Sequence, residues 1–362
     1  MKILIDHQIF SFLEYGGISK YFIGLMNYYH TNRIEFDFSL KYSNNQHLSD
    51  APFISVKPFF PGLHFPRKGL LLGAINSIES RKLLKIGDFK IFHPTYYDLY
   101  FLRYVKNKSF IVTIHDMIPE LFHDNSFLGK LLVKNKRILM DNASKIIAVS
   151  QNTKNDILQF YDYNESDIYV VHHGINVYYP LTDYTDTNKY LLFIGNRGGY
   201  KNFDITIGAI ATILQERQDL FLICAGGGSF SESEILSFKK LNIHNQIHHS
   251  PINDATLPFL YKNAICFIFP SLYEGFGIPI LEAFSNGCPV ILSNKSSFPE
   301  VAGDAAEYFD PHSEESIRKS VIKLLDDEKL RSNLIKRGLE RVKSFSVKNM
   351  AEKTLDVYRS AL

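Results

Sequence analysis

The chain has 362 residues, 45% hydrophobic and 22% charged, with 40 Lys and Arg against 38 Asp and Glu for a formal net charge of +2. That length fits two domains, that composition fits a globular protein, and the near balance of charge leaves no footprint for nucleic acid. No stretch approaches the ~20 apolar residues of a membrane span, and the opening MKILIDHQIF has no signal-peptide pattern, so a cytoplasmic location is expected.

In chain order, residues 3–5 read as a strand, 19–30 as a helix, 91–93 and 110–114 as strands, 135–142 as a helix, 146–149 as a strand, 153–161 as a helix and 169–171 as a strand. A polar, turn-rich stretch at 176–188 reads as the join between domains. Beyond it, strands are expected at 191–194, 220–225, 265–269 and 290–292, with a helix at 203–216. Strands alternating with helices imply parallel sheets, and two such series imply two doubly wound α/β domains. The tail 347–362 reads as an amphipathic helix with Met350, Leu355, Val357 and Tyr358 on its apolar face. Cys224, Cys266 and Cys288 lie far apart without CxxC spacing, which fits buried free thiols in a reducing compartment.

Residues 273–282, YEGFGIPILE, follow the apolar run 264–271 and open a helix with Pro279 suited to its first position. Strand, glycine loop and helix start is where open α/β sheets bind ligands. Counted from Pro279, Glu282 falls at about the fourth helical position, in the turn whose backbone N–H groups have no internal partner. Such a turn can hold a phosphate or a sugar oxygen. A carboxylate repels phosphate, so Glu274 and Glu282 suit hydroxyl groups, which donate to it. Ribose and hexose both offer them, and the segment fits a nucleotide sugar.

Arg197 and Lys201 follow the strand 191–194 among Gly195, Gly198 and Gly199. Fixed cations there could take up the negative charge that grows on a departing diphosphate. Gly16 and Gly17 stand between the first strand and a helix and read either as a plain turn or as a loop approaching a ligand through positive φ. His115 ends the strand 110–114 and reads as a structural histidine or as a sugar-hydroxyl partner; Asp116 beside it suits fixing the next turn. Gly226, Gly227 and Gly228 close the strand 220–225, and the S-x-x-E spacing of Ser231 and Glu234 is fully explained as a capping box. No metal site or cofactor is expected: Asp183 and Asp186 lack Asp-x-Asp spacing and sit in the join. Residues 57–85 mix Phe59, Phe60, Leu63, Phe65 and Leu70, Leu71 and Leu72 with Lys57, Arg67, Lys68, Arg81, Lys82 and Lys85, and read either as a membrane-interface segment or as a core-packing helix with its charges in water.

The run E-G-F-G-I-P-I-L-E at 274–282 resembles the two-glutamate signature of retaining glycosyltransferases of family 4. Glu14-Tyr15-Gly16-Gly17-Ile18, His115-Asp116-Met117-Ile118-Pro119, Val149-Ser150, His173-Gly174-Ile175, Gly195-Asn196-Arg197 with Lys201-Asn202, and Ala225-Gly226-Gly227-Gly228 follow that family's order over essentially the whole chain. The resemblance implies the GT-B fold: two Rossmann-like domains facing a cleft, residues 1–178 on the acceptor side, 179–346 binding the nucleotide sugar, and 347–362 a helix returning to the first domain. It implies Glu274, His115, Arg197 and Lys201 as catalytic residues. It implies a donor site built from Gly16, Gly17, Arg197, Lys201, Gly226, Glu274, Gly275, Phe276, Gly277, Ile278 and Glu282. The start and the H-D-M-I-P segment resemble bacterial enzymes that add mannose to surface polysaccharide, so GDP-mannose is the favoured donor and a UDP-sugar the other candidate. The expected reaction is metal-independent hexose transfer with retention, by front-side attack since no nucleophile is evident, onto a glycan or lipid-linked oligosaccharide at the inner face of the plasma membrane. A nucleotide-sugar 2-epimerase on the same fold and a non-catalytic nucleotide-sugar-binding protein stand as alternatives.

Overall fold

The computed structural model describes residues 1–63, 65–105, 107–176, 189–252 and 256–362. They fall into two compact units, Met1–Gly174 with Ser346–Leu362, and Ile175–Phe345. The boundary expected at 178/179 and the acidic pair Asp183 and Asp186 lie outside the described residues.

Unit 1 holds strands β1 (Ile3–Ile5), β2 (Phe36–Phe38), β3 (Ile91–His93), β4 (Ser109–Ile114), β5 (Lys145–Ala148) and β6 (Ile168–Val170). They pair in parallel in the order β2-β1-β3-β4-β5-β6. Unit 2 holds β7 (Lys189–Ile194), β8 (Leu220–Ala225), β9 (Ile247–Ser250), β10 (Cys266–Phe269), β11 (Val290–Ser293) and β12 (Glu307–Phe309), in the order β12-β11-β10-β7-β8-β9, again parallel. Central strands such as β10 are apolar and buried throughout, as a parallel sheet covered by helices on both faces requires. The unforeseen strands, β2, β9 and β12, are edge strands. They are short and carry Asp37, His248, His249 or Glu307, so no apolar run announces them.

In each unit the chain leaves its first strand one way and later returns to the other side. The switch points are β1 against β3 in unit 1 and β7 against β10 in unit 2. Ligands in open α/β sheets bind at the carboxyl ends of strands beside such points.

The helix Gly17–Thr31 buries Tyr21, Phe22, Leu25, Met26 and Tyr29 against β1 and β3. The tail helix Val347–Ser360 packs on it and puts Met350, Leu355, Val357 and Tyr358 into the same core. The Tyr358 hydroxyl lies 2.6 Å from the His93 ring nitrogen Nδ1. Gly174, where the chain leaves this unit, passes so close to Ser346 that a Cβ would lie 2.3 Å from the Ser346 carbonyl oxygen. The helix expected at 135–142 starts earlier, as Phe127–Asn142, because Ser126 caps it by accepting from the Gly129 N–H at 2.9 Å.

The helix Lys68–Ile86 carries apolar groups on both its inward and its outward face. Its inward face is mixed: Leu72 and Leu84 are buried beside Asn76, which accepts from the backbone N–H groups of Lys41 and Tyr42 and donates to Ser11 Oγ, and Ser80, which bonds Ser39 and Tyr100. Its outward face carries Leu70, Leu71, Ile78 and Ile86, exposed by 62, 48, 55 and 72%. Among the described residues no helix is long and apolar enough to cross a membrane.

Candidate active site

Parallel neighbours end at the same sheet edge, so the loops after β8, β7, β10 and β11 emerge side by side in unit 2. These carry Gly226–Gly228, Arg197 with Lys201, Glu274–Gly277, and Ser296 with Ser297. The β7 and β10 loops are stitched across the switch point. The Leu272 N–H donates to the Tyr200 carbonyl at 2.7 Å, and Lys201 Nζ lies 2.6 Å from Glu274 Oε1. Both side chains are about 15% exposed, at 16 and 15%, so the pair is shielded yet open to a ligand. Lys201 also lies 5.5 Å from the centre of the Phe269 ring, over its face. Ser271 donates to the same Glu274 oxygen at 2.7 Å.

The helix after the glycine loop is Ile278–Ser285, one residue earlier than expected. Pro279 therefore stands second and Glu282 fifth. Gly277 caps it at φ +96°, in the left-handed region open to glycine, and a Cβ there would crowd Ile280 and Phe298 at 3.0 and 3.1 Å. The Tyr261 hydroxyl reaches Glu282 Oε2 at 3.4 Å and the Pro279 carbonyl at 3.2 Å.

Arg197 is buried and heavily engaged. Its Nε donates to Glu234 Oε1 at 2.5 Å, Nη1 to the Gly226 carbonyl at 3.2 Å, and Nη2 to the Gly228 and Ser229 carbonyls at 3.1 and 3.0 Å. Its guanidinium lies 4.8 Å from the centre of the Phe230 ring. Of its five N–H groups, one on Nη1 stays clear of these bonds. The fork thus shapes the turn Gly226-Gly227-Gly228, whose φ angles are +78, +71 and +75°. A Cβ on Gly227 would sit 2.4 Å from the Gly195 carbonyl oxygen, so the two loops meet backbone to backbone.

The capping reading of Ser231 and Glu234 holds but is incomplete. The box forms, and the Glu234 carboxylate also pairs with Arg197. Burial raises the Glu234 pKa, but the bonds from Arg197 and Ser231 outweigh it and hold the carboxyl below its usual range.

In unit 1, positive φ plays no part at Gly16 and Gly17: Gly16 is extended at φ 167°, and Gly17 begins the helix Gly17–Thr31. His115 follows β4. Its N–H donates to the Tyr97 hydroxyl at 3.0 Å, and its ring stacks on His173 at 5.6 Å and meets Tyr21 edge-on at 5.5 Å. Burial, with the His173 ring beside it, pushes its pKa well below the ordinary value, so the imidazole is neutral. Asp116 Oδ1 accepts from the Ile118 N–H at 3.1 Å and fixes the turn. Asp6 at the β1–β3 switch point escaped the sequence reading. It is buried and accepts from Thr95, Gln8 and Tyr100, so unit 1 fills its own crevice with polar groups. A cavity of about 280 Å³ lies beside the 14–18 loop, lined by Phe12, Leu13, Glu14, Phe65, Lys68 and others. Among the described residues no group of three or more His, Cys, Asp or Glu is placed to hold a metal ion.

Two family models match in succession: Glycosyltransferase Family 4 over residues 15–178 and Glycosyl transferases group 1 over residues 183–341. The chain is 28% identical over 315 residues to the O-antigen chain mannosyltransferase B of Escherichia coli, covering 81% of each. It is 26% identical over 245 residues to the O-antigen chain mannosyltransferase RfbU of Salmonella typhimurium, covering 67% of this chain and 66% of that one. Among solved structures, sucrose-phosphate synthase from Thermosynechococcus elongatus superposes with a TM-score of 0.79 at 18% identity, over 99% of this chain and 98% of that one. HepE of Anabaena in complex with UDP-glucose gives 0.76 at 16% identity, over 99% and 100%. At those identities the likeness is one of fold.

Proposed function

The chain belongs to glycosyltransferase family 4 and has the GT-B fold, and as a glycosyltransferase of polysaccharide synthesis, we propose, it moves mannose from GDP-mannose with retention and without a metal ion. The observation that carries this reading is the Lys201–Glu274 pair at the β7–β10 switch point, beside the helix start after Gly277. Lys201 supplies charge to the leaving diphosphate, and the start of the helix Ile278–Ser285 adds partial positive charge. Glu274 accepts from donor-sugar hydroxyls, and Glu282 from ribose hydroxyls. Arg197 contributes its remaining N–H and holds the Gly226 turn against the nucleotide. On unit 1, Gly16, Gly17 and His115 are ligand-contacting residues, His115 as a neutral hydrogen-bonding partner. Mannose is favoured because the two sequence relatives reported above are named mannosyltransferases. A UDP-sugar remains the second candidate donor.

The acceptor is a glycan carried on lipid. The cavity beside the 14–18 loop supports it, since aromatic walls with a carboxylate and an ammonium suit a saccharide. The outward leucines of Lys68–Ile86, flanked by Lys57, Arg67, Arg81, Lys82 and Lys85, support contact with an anionic membrane face.

The reading is tested by a thermal-shift screen with GDP, UDP, ADP and dTDP in EDTA, followed by incubation with GDP-mannose alone. Selective stabilisation by GDP is expected, because a ligand that binds only the native state raises its apparent stability. Accumulation of an epimerised sugar would instead make the chain an isomerase.

A further inference from the structure

Two serines after β11 grip the backbone that carries Glu274. Ser296 Oγ accepts from the Glu274 N–H at 3.1 Å and donates to the Glu274 carbonyl at 2.5 Å. Ser297 Oγ lies 2.9 Å from both the Glu274 and the Phe276 carbonyl oxygens. Ser297 is fully buried and is the N-cap of the helix Phe298–Ala302, yet its side chain makes no capping bond. A serine there ordinarily accepts from its own helix. Here the hydroxyl is turned onto the neighbouring loop.

Ser296 stands at φ +59°, in the left-handed region that costs a residue with a Cβ. Such strain persists where surrounding contacts over-determine it, and it clusters at functional sites. The contacts here are those with Glu274. Its amide and carbonyl are both held by serine hydroxyls, while its carboxylate is held by Ser271 and Lys201. The residue is fixed at its backbone and at its tip.

We propose that Ser296 and Ser297 are positioning residues, which fix the Glu274 backbone so that its carboxylate meets the donor sugar in one geometry. This rests on the reading of 274–282 as the donor site. Groups aligned on a reacting centre lose rate steeply when displaced, whereas ground-state affinity is shared over many contacts. The serines therefore act on kcat more than on donor KM.

Ser296→Gly separates this role from a merely structural one. Glycine takes φ +59° without strain, so the variant loses only the hydroxyl. The expected result is a Tm equal to or above wild type, a kcat lower by about 10- to 100-fold, and a donor KM within about threefold. Ser297→Ala should show the same kcat loss with a lower Tm, because buried carbonyls lose a donor. In both, the Glu274 amide should exchange hydrogen faster. Wild-type kcat in Ser296→Gly, or unchanged exchange at Glu274, overturns the proposal, as does a loss confined to KM. If the wild-type chain binds no nucleoside diphosphate and turns over neither GDP-mannose nor UDP-glucose, the donor reading fails, and exchange at Glu274 alone decides whether the serines hold the loop.

Discussion

Lys201 and Glu274 form the one contact on which both the charge argument and the sugar argument turn. Lys201→Ala removes the cation from the leaving group, and Glu274→Ala removes the acceptor from the donor sugar. Each should lower kcat by about 100-fold or more while leaving circular dichroism unchanged. Arg197 behaves differently. Its fork is spent on Glu234 and three carbonyls, a geometry that lysine lacks. Arg197→Lys should therefore cost about 2 kcal/mol of stability in urea titration, together with nucleotide affinity. Near wild-type stability would show that the fork does not hold the Gly226 turn. The glutamates and cations were legible because each stands alone in a short motif beside a strand end. Their holders were not. Ser296, Ser297 and the second role of Glu234 depend on partners from other loops, and the capping spacing of Ser231 and Glu234 already explained those residues.

The helix Lys68–Ile86 departs from the usual rule that a surface helix turns its apolar stripe inward and its polar stripe outward: Leu72 and Leu84 are buried, but so are Asn76 and Ser80, while Leu70, Leu71, Ile78 and Ile86 face out. Asn76 and Ser80 are satisfied inside by Ser11, Ser39, Tyr42 and Tyr100, so the buried polar groups stay bonded. The full chain should sediment with vesicles containing phosphatidylglycerol and remain free of those made of phosphatidylcholine alone. Binding should fall in about 0.5 M salt, which screens the cations. Leu70→Asp with Leu71→Asp should abolish it while leaving the affinity for GDP unchanged. Equal binding to both vesicle types would assign the leucines another partner. The sequence displayed this segment's composition but hid its orientation, since apolar residues on both faces of a helix leave no single stripe to read. Edge strands escaped for a related reason: β2, β9 and β12 are too short and polar to stand out from loops.

At the scale of the molecule, two buried parallel sheets left a strong mark, because strands covered on both faces read as apolar runs. The histidine cluster of unit 1 left none, since its members come from β3, from the loop after β4, and from residue 173. Burial pushes His93 and His173 down to about 3 and holds His115 well below its ordinary value. The unfolded chain takes up those protons near pH 6.5 and the native unit does not. Stability from this cluster is thus complete above about pH 6.5 and is lost as pH falls toward the native values, at about 1.4 kcal/mol per pH unit per histidine. Urea midpoints measured between pH 7 and pH 5 should fall accordingly, and His93→Gln should flatten the slope. A midpoint constant across that range would show that the rings are protonated in the native state.

Calorimetric titration of GDP in EDTA, on the intact chain and on Lys201→Ala, puts the β7–β10 switch point to its most direct test. Wild-type binding without divalent ions is expected, weakened at least about tenfold by losing one charge-assisted contact. Equal affinity in the two proteins, or binding only after magnesium is restored, would contradict a diphosphate site built from Lys201 and the helix start after Gly277.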